Sequence, residues 1–176
     1  MEGISRIAAL AALRPDPGLT VLLCGLAGSG KTTFSQELEA RGFVRISIDE
    51  EIWRTAGRYG LDYPPEAYGS KVAAARAAIR EQLDVELVKR SAVVVDSSFW
   101  SRAHREEFKS SVERIGGRCQ LVYLRASEEV LRSRLTSRRA RFDANAAFPI
   151  DNDTLWRFLQ TFEEPGPDEG AIVVVA

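Results

Sequence analysis

Eight consecutive residues constrain this chain more than any other feature, namely Gly25-Leu26-Ala27-Gly28-Ser29-Gly30-Lys31-Thr32. They fit the pattern G-x-x-x-x-G-K-[ST], and they lie between an apolar run of strand length and a segment predicted to be helical. In this pattern, glycines let backbone N–H groups point at phosphate oxygens, and the helix N-terminus adds partial positive charge. Because motif and context agree, we favour a phosphate-binding loop over a glycine-rich turn that ends by chance in Lys-Thr.

The loop predicts how each residue would contact a bound nucleotide. The expected nucleotide-binding residues are Gly25, Gly28, Ser29, Gly30, Lys31, Thr32 and Thr33. Lys31 is expected to reach the β- and γ-phosphates and to assist catalysis there, and Thr32 to offer a hydroxyl to Mg²⁺. The phosphate donor is then ATP or GTP, and the sequence does not distinguish the two.

The remaining pattern predicts the α/β class. Apolar runs at residues 20–24, 43–48, 93–96, 120–124 and 171–175 are of strand length, and helical segments separate them. Such alternation predicts about five parallel strands covered by helices on both faces, with right-handed crossovers. At 176 residues, the chain is expected to form a single domain over residues 1–176.

Composition limits the partners and the compartment. The formal net charge is −1, which disfavours long nucleic acid as a partner. Cys24 and Cys119 each lie beside an apolar run, so we expect two core thiols in a reducing cytoplasm rather than a disulfide. The N-terminal segment has only short apolar stretches, which predicts neither a signal peptide nor a membrane span.

Asp49 follows the second predicted strand. Ligands of open α/β sheets gather at the carboxyl ends of the strands, and a carboxylate there can accept the proton of an attacking hydroxyl. The same residue can instead cap a helix over residues 50–56. Combined with the phosphate loop, the catalytic interpretation leads.

At this point the sequence resembles the P-loop small-molecule kinases grouped with chloramphenicol phosphotransferase, the kinase domain of polynucleotide kinase and zeta-type toxins. The resemblance spans nearly the whole chain. It rests on residues 25–32, on Ser47-Ile48-Asp49, on Val93-Val94-Val95-Asp96 with the following Arg102 and Arg105, and on an arginine-rich stretch. It implies the P-loop NTPase fold with an arginine-rich lid at about residues 136–150.

The resemblance also implies individual residue functions. Asp49 matches the general base, Asp96 matches a carboxylate on the magnesium shell, and Arg134, Arg138 or Arg141 matches the arginines that clamp the triphosphate. Offsets of 0, 4 and 7 place these arginines on one helical face, although a solvated face near a helix end has the same pattern.

Acceptor-binding residues are less defined by the sequence. Trp53, Arg102 and Arg105 are candidates, but aromatic residues also stabilise loops, and arginines at a helix start are often at the surface. His104 is the single histidine, so neither a histidine-based zinc cluster nor a Ser-His-Asp triad can form.

These observations predict a phosphotransferase that moves a γ-phosphate to a hydroxyl of a small molecule, with an antibiotic as one acceptor class suggested by resemblance. A toxin-like kinase of nucleotide sugars, a nucleic-acid 5′-hydroxyl kinase and a nucleotide-dependent regulatory switch remain alternatives. No Asn-Lys-x-Asp segment is present, which disfavours a guanine-specific switch. The sequence does not fix the acceptor or the oligomeric state.

Overall fold

The computed structural model describes residues 3–138, 143–146 and 148–175. The strands are β1 (Leu19–Cys24), β2 (Val44–Ser47), β3 (Val93–Asp96), β4 (Arg118–Arg125) and β5 (Ile172–Val175). The α-helices are α1 (Arg6–Ala12), α2 (Lys31–Glu39), α3 (Ile48–Ala56), α4 (Tyr68–Val88), α5 (Arg102–Arg114), α6 (Glu128–Arg138) and α7 (Asn152–Thr161). The α/β prediction is therefore confirmed.

The five strands form one sheet in the order β2-β3-β1-β4-β5, and every neighbouring pair is parallel. The strand β3 lies between β1 and β2, with Asp96 in register with Leu23 on one side and Ser47 on the other. The carboxyl ends of all three strands thus lie at the same end of the sheet. There the phosphate loop follows β1, and α3 follows β2.

Helices cover both faces of the sheet because each buried strand alternates its side chains between two cores. Leu22 and Cys24 pack in one core with residues of α3, α4 and α5, whereas Val21 and Leu23 pack in the other with α1 and α2. Both cysteines are free thiols, as predicted, and burial raises the pKa of each to about 12. Over the described ranges, no helix combines the length and hydropathy needed to cross a bilayer.

The second strand ends earlier than predicted. Residues 43–48 were expected to be a strand, but β2 ends at Ser47 and α3 begins at Ile48. Ser47 is the N-cap, and its hydroxyl accepts from the backbone N–H of Glu50 at 3.4 Å. The alternative that Asp49 caps this helix is therefore wrong. Asp49 instead lies in the first turn, where the helix dipole favours a negative charge.

Candidate active site

The phosphate loop has a backbone that requires its glycines. Gly25, Gly28 and Gly30 have φ angles of 144°, 86° and 101°, a region that other residues rarely adopt. A Cβ on Gly25 would also lie 2.6 Å from the carbonyl oxygen of Leu124. Gly30 leads directly into α2, so the loop amides and the helix N-terminus face the same place.

Two polar groups of the loop fit a triphosphate. Ser29 is only 2% exposed, and within the described residues its hydroxyl oxygen has no hydrogen-bond partner. The Lys31 ammonium donates to the carbonyl oxygen of Leu26 at 2.9 Å. Burial lowers the pKa of Lys31, while the carboxylates of Asp96 and Asp49 oppose that shift. A buried hydroxyl without a partner and a lysine whose charge is opposed by burial each suit an anionic ligand.

Asp96 at the end of β3 belongs to a buried network. Its Oδ2 accepts hydrogen bonds from the Ser35 hydroxyl and from Nη2 of Arg45, both at 3.0 Å. Arg45 also donates from Nη1 to Glu50 at 2.7 Å. Among the described residues, no cluster of three or more His, Cys, Asp or Glu could hold a metal ion by itself. Thr32 and Asp96 both line the same cavity, and oxygen-bearing side chains such as these are the type of ligand that Mg²⁺ prefers.

Asp49 lines the same cavity as the phosphate loop. Its side chain is accessible to solvent, but it faces a cavity that is enclosed by protein on several sides. This surrounding protein raises the pKa of Asp49, the nearby Asp96 raises it further, and Arg138 and Lys31 act in the opposite direction. A carboxylate with a raised pKa is a stronger proton acceptor once it is ionised.

One cavity of about 730 Å³ joins these groups. Its lining includes Gly28, Gly30, Lys31, Thr32 and Thr33 of the loop and helix α2, Asp49 of α3, Asp96 of β3, and Arg134 and Arg138 of α6. Its volume lies within the range of small-molecule sites. The structure thus brings together the predicted phosphate loop, the predicted base and two of the three predicted arginines.

Two arginines of α6, Arg134 and Arg138, line the cavity. Nη1 of Arg134 donates to the carbonyl oxygens of Gly28 and Ser29 at 3.2 and 3.3 Å. Arg138 lies one turn further on the same wall and close enough to Asp49 to lower its pKa. Arg141 and residues 139, 140, 142 and 147 of the predicted lid lie outside the described residues, so the lid itself stays a prediction.

An aromatic wall completes the cavity. The Tyr68 ring stacks on Phe148 with centroids 4.5 Å apart, and Trp100 meets Phe158 edge to face at 4.8 Å. Val72, Arg76, Asn145 and Ile150 also line the cavity.

Three residues considered for acceptor binding lie outside the cavity lining. Within the described part of the chain, Trp53, Arg102 and Arg105 are absent from the cavity wall. Arg102 pairs at the surface with Glu106 and Asp168. The guanidinium of Arg105 is buried, forms a two-bond ion pair with Glu169, and donates to the carbonyl oxygens of Phe99 and Glu163. These contacts give both arginines a structural explanation.

Sequence reasoning missed Arg45, Ser35 and Arg76. Arg45 alternates with apolar residues in β2 and belongs to no motif, so nothing local indicated its contact with Asp96. Arg76 could have been found from its spacing, because Tyr68, Val72 and Arg76 follow each other at intervals of four on α4.

The fold and the phosphate loop together define the class as the P-loop small-molecule kinases. A family model described as AAA domain matches residues 20–165, and the chain belongs to that family.

The chain is also similar to individual proteins. The chain is 30% identical over 116 residues to a UPF0200 protein of Pyrobaculum aerophilum, covering 66% of this chain and 64% of that protein. It thus spans less than two thirds of that relative's length. It is 29% identical over 161 residues to a "Probable gluconokinase" of Schizosaccharomyces pombe, covering 88% of this chain and 78% of that one. The crystal structure of a gluconokinase from Sinorhizobium meliloti 1021 has 25% identity and a TM-score of 0.60, covering 92% and 84% of the two chains.

Proposed function

We propose that this protein transfers the γ-phosphate of ATP or GTP to a hydroxyl group of a small molecule. The observation that carries the proposal is the shared cavity, in which the phosphate loop and the Asp49 carboxylate face the same 730 Å³ space. A donor phosphate held by the loop and an acceptor hydroxyl beside Asp49 can thus approach each other. Phosphoryl transfer depends mainly on such positioning and on charge stabilisation.

The donor would lie along the loop with its phosphates toward Lys31. The loop amides, Ser29 and Lys31 bind phosphate oxygens, and Arg134 and Arg138 offset the charge that spreads over the transferring group. Thr32 and Asp96 would hold Mg²⁺, which would supply positive charge against the phosphate groups. A second cavity of about 270 Å³ shares Gly30, Thr33 and Arg134 with the first. We propose that it receives the base of the nucleotide.

Asp49 would orient the acceptor hydroxyl and accept its proton. The oxygen–hydrogen bond breaks toward the carboxylate as the hydroxyl oxygen attacks phosphorus, and the nucleoside diphosphate leaves. The aromatic wall of Tyr68, Phe148, Trp100 and Phe158 would cover the acceptor and exclude water that competes with it. The relatives named as gluconokinases favour sugar-like acceptors, and antibiotics remain a further class to test.

The proposal is tested by incubating the protein with Mg-ATP or Mg-GTP and a panel of sugars, sugar acids, nucleosides, nucleotide sugars and hydroxylated antibiotics. Nucleoside diphosphate release is followed, and the phosphorylated product is identified by mass spectrometry. We expect a product with at least one acceptor, and none with the Lys31→Ala variant. Nucleotide binding without transfer to any member of the panel, or hydrolysis that no acceptor stimulates, would contradict the proposal.

A further inference from the structure

Arg76 is a cation of the cavity wall that the donor-binding machinery does not use. It lies in α4 and lines the cavity that contains the phosphate loop and Asp49. Its side chain is exposed, and among the described residues it has no hydrogen bond or ion pair. Arg80, one turn further along, instead pairs with Glu107 at 2.9 Å and lies 5.0 Å from the Phe108 ring centre.

The position of Arg76 places it on the acceptor side. Tyr68, Val72 and Arg76 follow one another at four-residue intervals, so they share one face of α4, over about 12 Å of helix. Tyr68 is close enough to Asp49 for that carboxylate to raise its pKa, in addition to the effect of burial. The same helix face therefore begins beside the proposed base and ends at a guanidinium.

The other cations of the cavity belong to the donor side. Lys31 is part of the phosphate loop, Arg134 contacts its carbonyl oxygens, and Arg138 follows one turn later on α6. Arg76 comes from a different helix, which packs against the helix that carries Asp49. A triphosphate bound along the loop therefore leaves the Arg76 guanidinium available to the acceptor.

We propose that Arg76 recognises a negatively charged group on the acceptor, foremost a carboxylate, while a hydroxyl of the same molecule lies beside Asp49. This inference rests on the proposed kinase function. A guanidinium matches a carboxylate or a phosphate with two parallel hydrogen bonds. Apolar residues of the same cavity wall, such as Val72 and Trp100, would strengthen that pairing once the acceptor displaces water. The acceptors selected are then hydroxy acids and phosphorylated alcohols, and cationic antibiotics are repelled.

The test compares acceptors that differ in charge alone. Each acid of the panel, gluconate among them, is assayed beside its uncharged amide or alcohol and beside a phosphate-bearing analogue. The wild-type protein, Arg76→Met and the control Arg80→Met are compared. We expect the wild type to prefer the anionic member by ~10²-fold in kcat/KM, since loss of one partner of a desolvated charge pair costs that much or more.

In the Arg76→Met variant, we expect that preference to fall to within a few-fold of unity, mainly through KM for the anionic acceptor. The KM for nucleotide, the activity with uncharged acceptors and the melting temperature should stay close to wild type. The Arg80→Met variant should keep the preference for anions. A preference for carboxylate over phosphate, or the reverse, identifies which anion the site accepts.

Three results would overturn the inference. Equal use of charged and uncharged acceptors, or a preference for anions that survives in Arg76→Met, removes the recognition function of Arg76 but leaves the proposed kinase function intact. Transfer to no acceptor of any charge, with nucleotide binding preserved, overturns the kinase function and this inference with it.

Discussion

Arg45 and Asp96 form a buried ion pair, with Nη2 of the arginine 3.0 Å from Oδ2 of the carboxylate and both side chains 5% exposed. Replacing Arg45 by Met would leave the Asp96 charge without this partner inside the protein. We expect a loss of ~3–5 kcal/mol in the free energy of unfolding, the usual cost of breaking a buried pair on one side. Denaturant unfolding measures this free energy.

The exposed Arg54, which pairs with Glu51 on the same helix, is the control, and its Met variant should lose ~1 kcal/mol or less. An Arg45→Met loss as small as that of the control would contradict the expectation.

Lys31→Ala should remove productive triphosphate binding without unfolding the protein. The ammonium contacts a loop carbonyl rather than the apolar core, and burial already opposes its charge by lowering the pKa of Lys31. Calorimetry measures nucleotide binding, and circular dichroism measures the fold. The exposed Lys109, paired at 3.9 Å with Glu113, is the control for loss of a lysine. Unchanged nucleotide affinity and normal phosphoryl transfer in Lys31→Ala would contradict the assignment of residues 25–32 as a phosphate-binding loop.

Arg134→Ala and Arg138→Ala should lower turnover far more than thermal stability. Both side chains line the same cavity as the phosphate loop, where they would act on the charge of the transferring phosphoryl group. Arg132 lies on the same helix and pairs with Glu128 and Asn152, so Arg132→Ala is the control. Equal and minor effects on turnover in all three variants would indicate a solvated arginine face. Arg141→Ala belongs in the same series.

Asp49→Asn should reduce phosphoryl transfer by ~10²-fold or more while nucleotide affinity changes only a few-fold. The stability expectation follows from the raised pKa of Asp49. Folding favours the protonated carboxyl group, so the free energy of unfolding falls as the pH rises through the raised pKa of Asp49. The neutral amide of Asn has no such cost, so Asp49→Asn should keep or raise the melting temperature at neutral pH. The acidic limb of the wild-type pH–rate profile should lie above the usual range of an aspartate. Near-normal transfer in a stable Asp49→Asn variant would leave Asp49 without a catalytic function.

His104 should make stability depend on pH. Its ring packs against both Phe99 and Phe108, and both ring nitrogens lack a hydrogen-bond partner among the described residues. Burial, together with the nearby Arg76, Arg80 and Arg105, lowers the pKa of His104 to about 4, and Glu107 opposes this shift.

In the unfolded chain, His104 has a pKa of 6.5. Above pH 6.5 the ring is neutral in both states, and the free energy of unfolding has its full value. As the pH falls from 6.5 toward 4, the unfolded chain takes up the proton and the folded protein loses stability. Between about pH 7 and about pH 5, the wild type should lose ~2 kcal/mol more than His104→Leu, which keeps the apolar packing. Parallel stability profiles for the two proteins would contradict the lowered pKa.

The sequence predicted the elements well because strand length, apolar runs and glycine breaks are local signals. The sequence did not predict the order of the strands, because β3 lies between β1 and β2 through contacts between residues that are distant in sequence. The same holds for the site. The glycine motif could be predicted because it is local, whereas the contact between Arg45 and Asp96 could not, because it joins residues 51 positions apart. The end of β2 was misplaced because Ile48 continues the apolar run but begins a helix.

The excursion from β2 to β3 carries α3 and α4, and it leaves and rejoins the sheet on neighbouring strands. The proposed base Asp49 and the proposed anion-binding Arg76 thus lie on one continuous stretch, residues 48–92, whereas the phosphate loop and α6 lie outside it. Under the proposed function, changes within this stretch would alter how the acceptor is held while the residues proposed to bind the nucleotide stay the same.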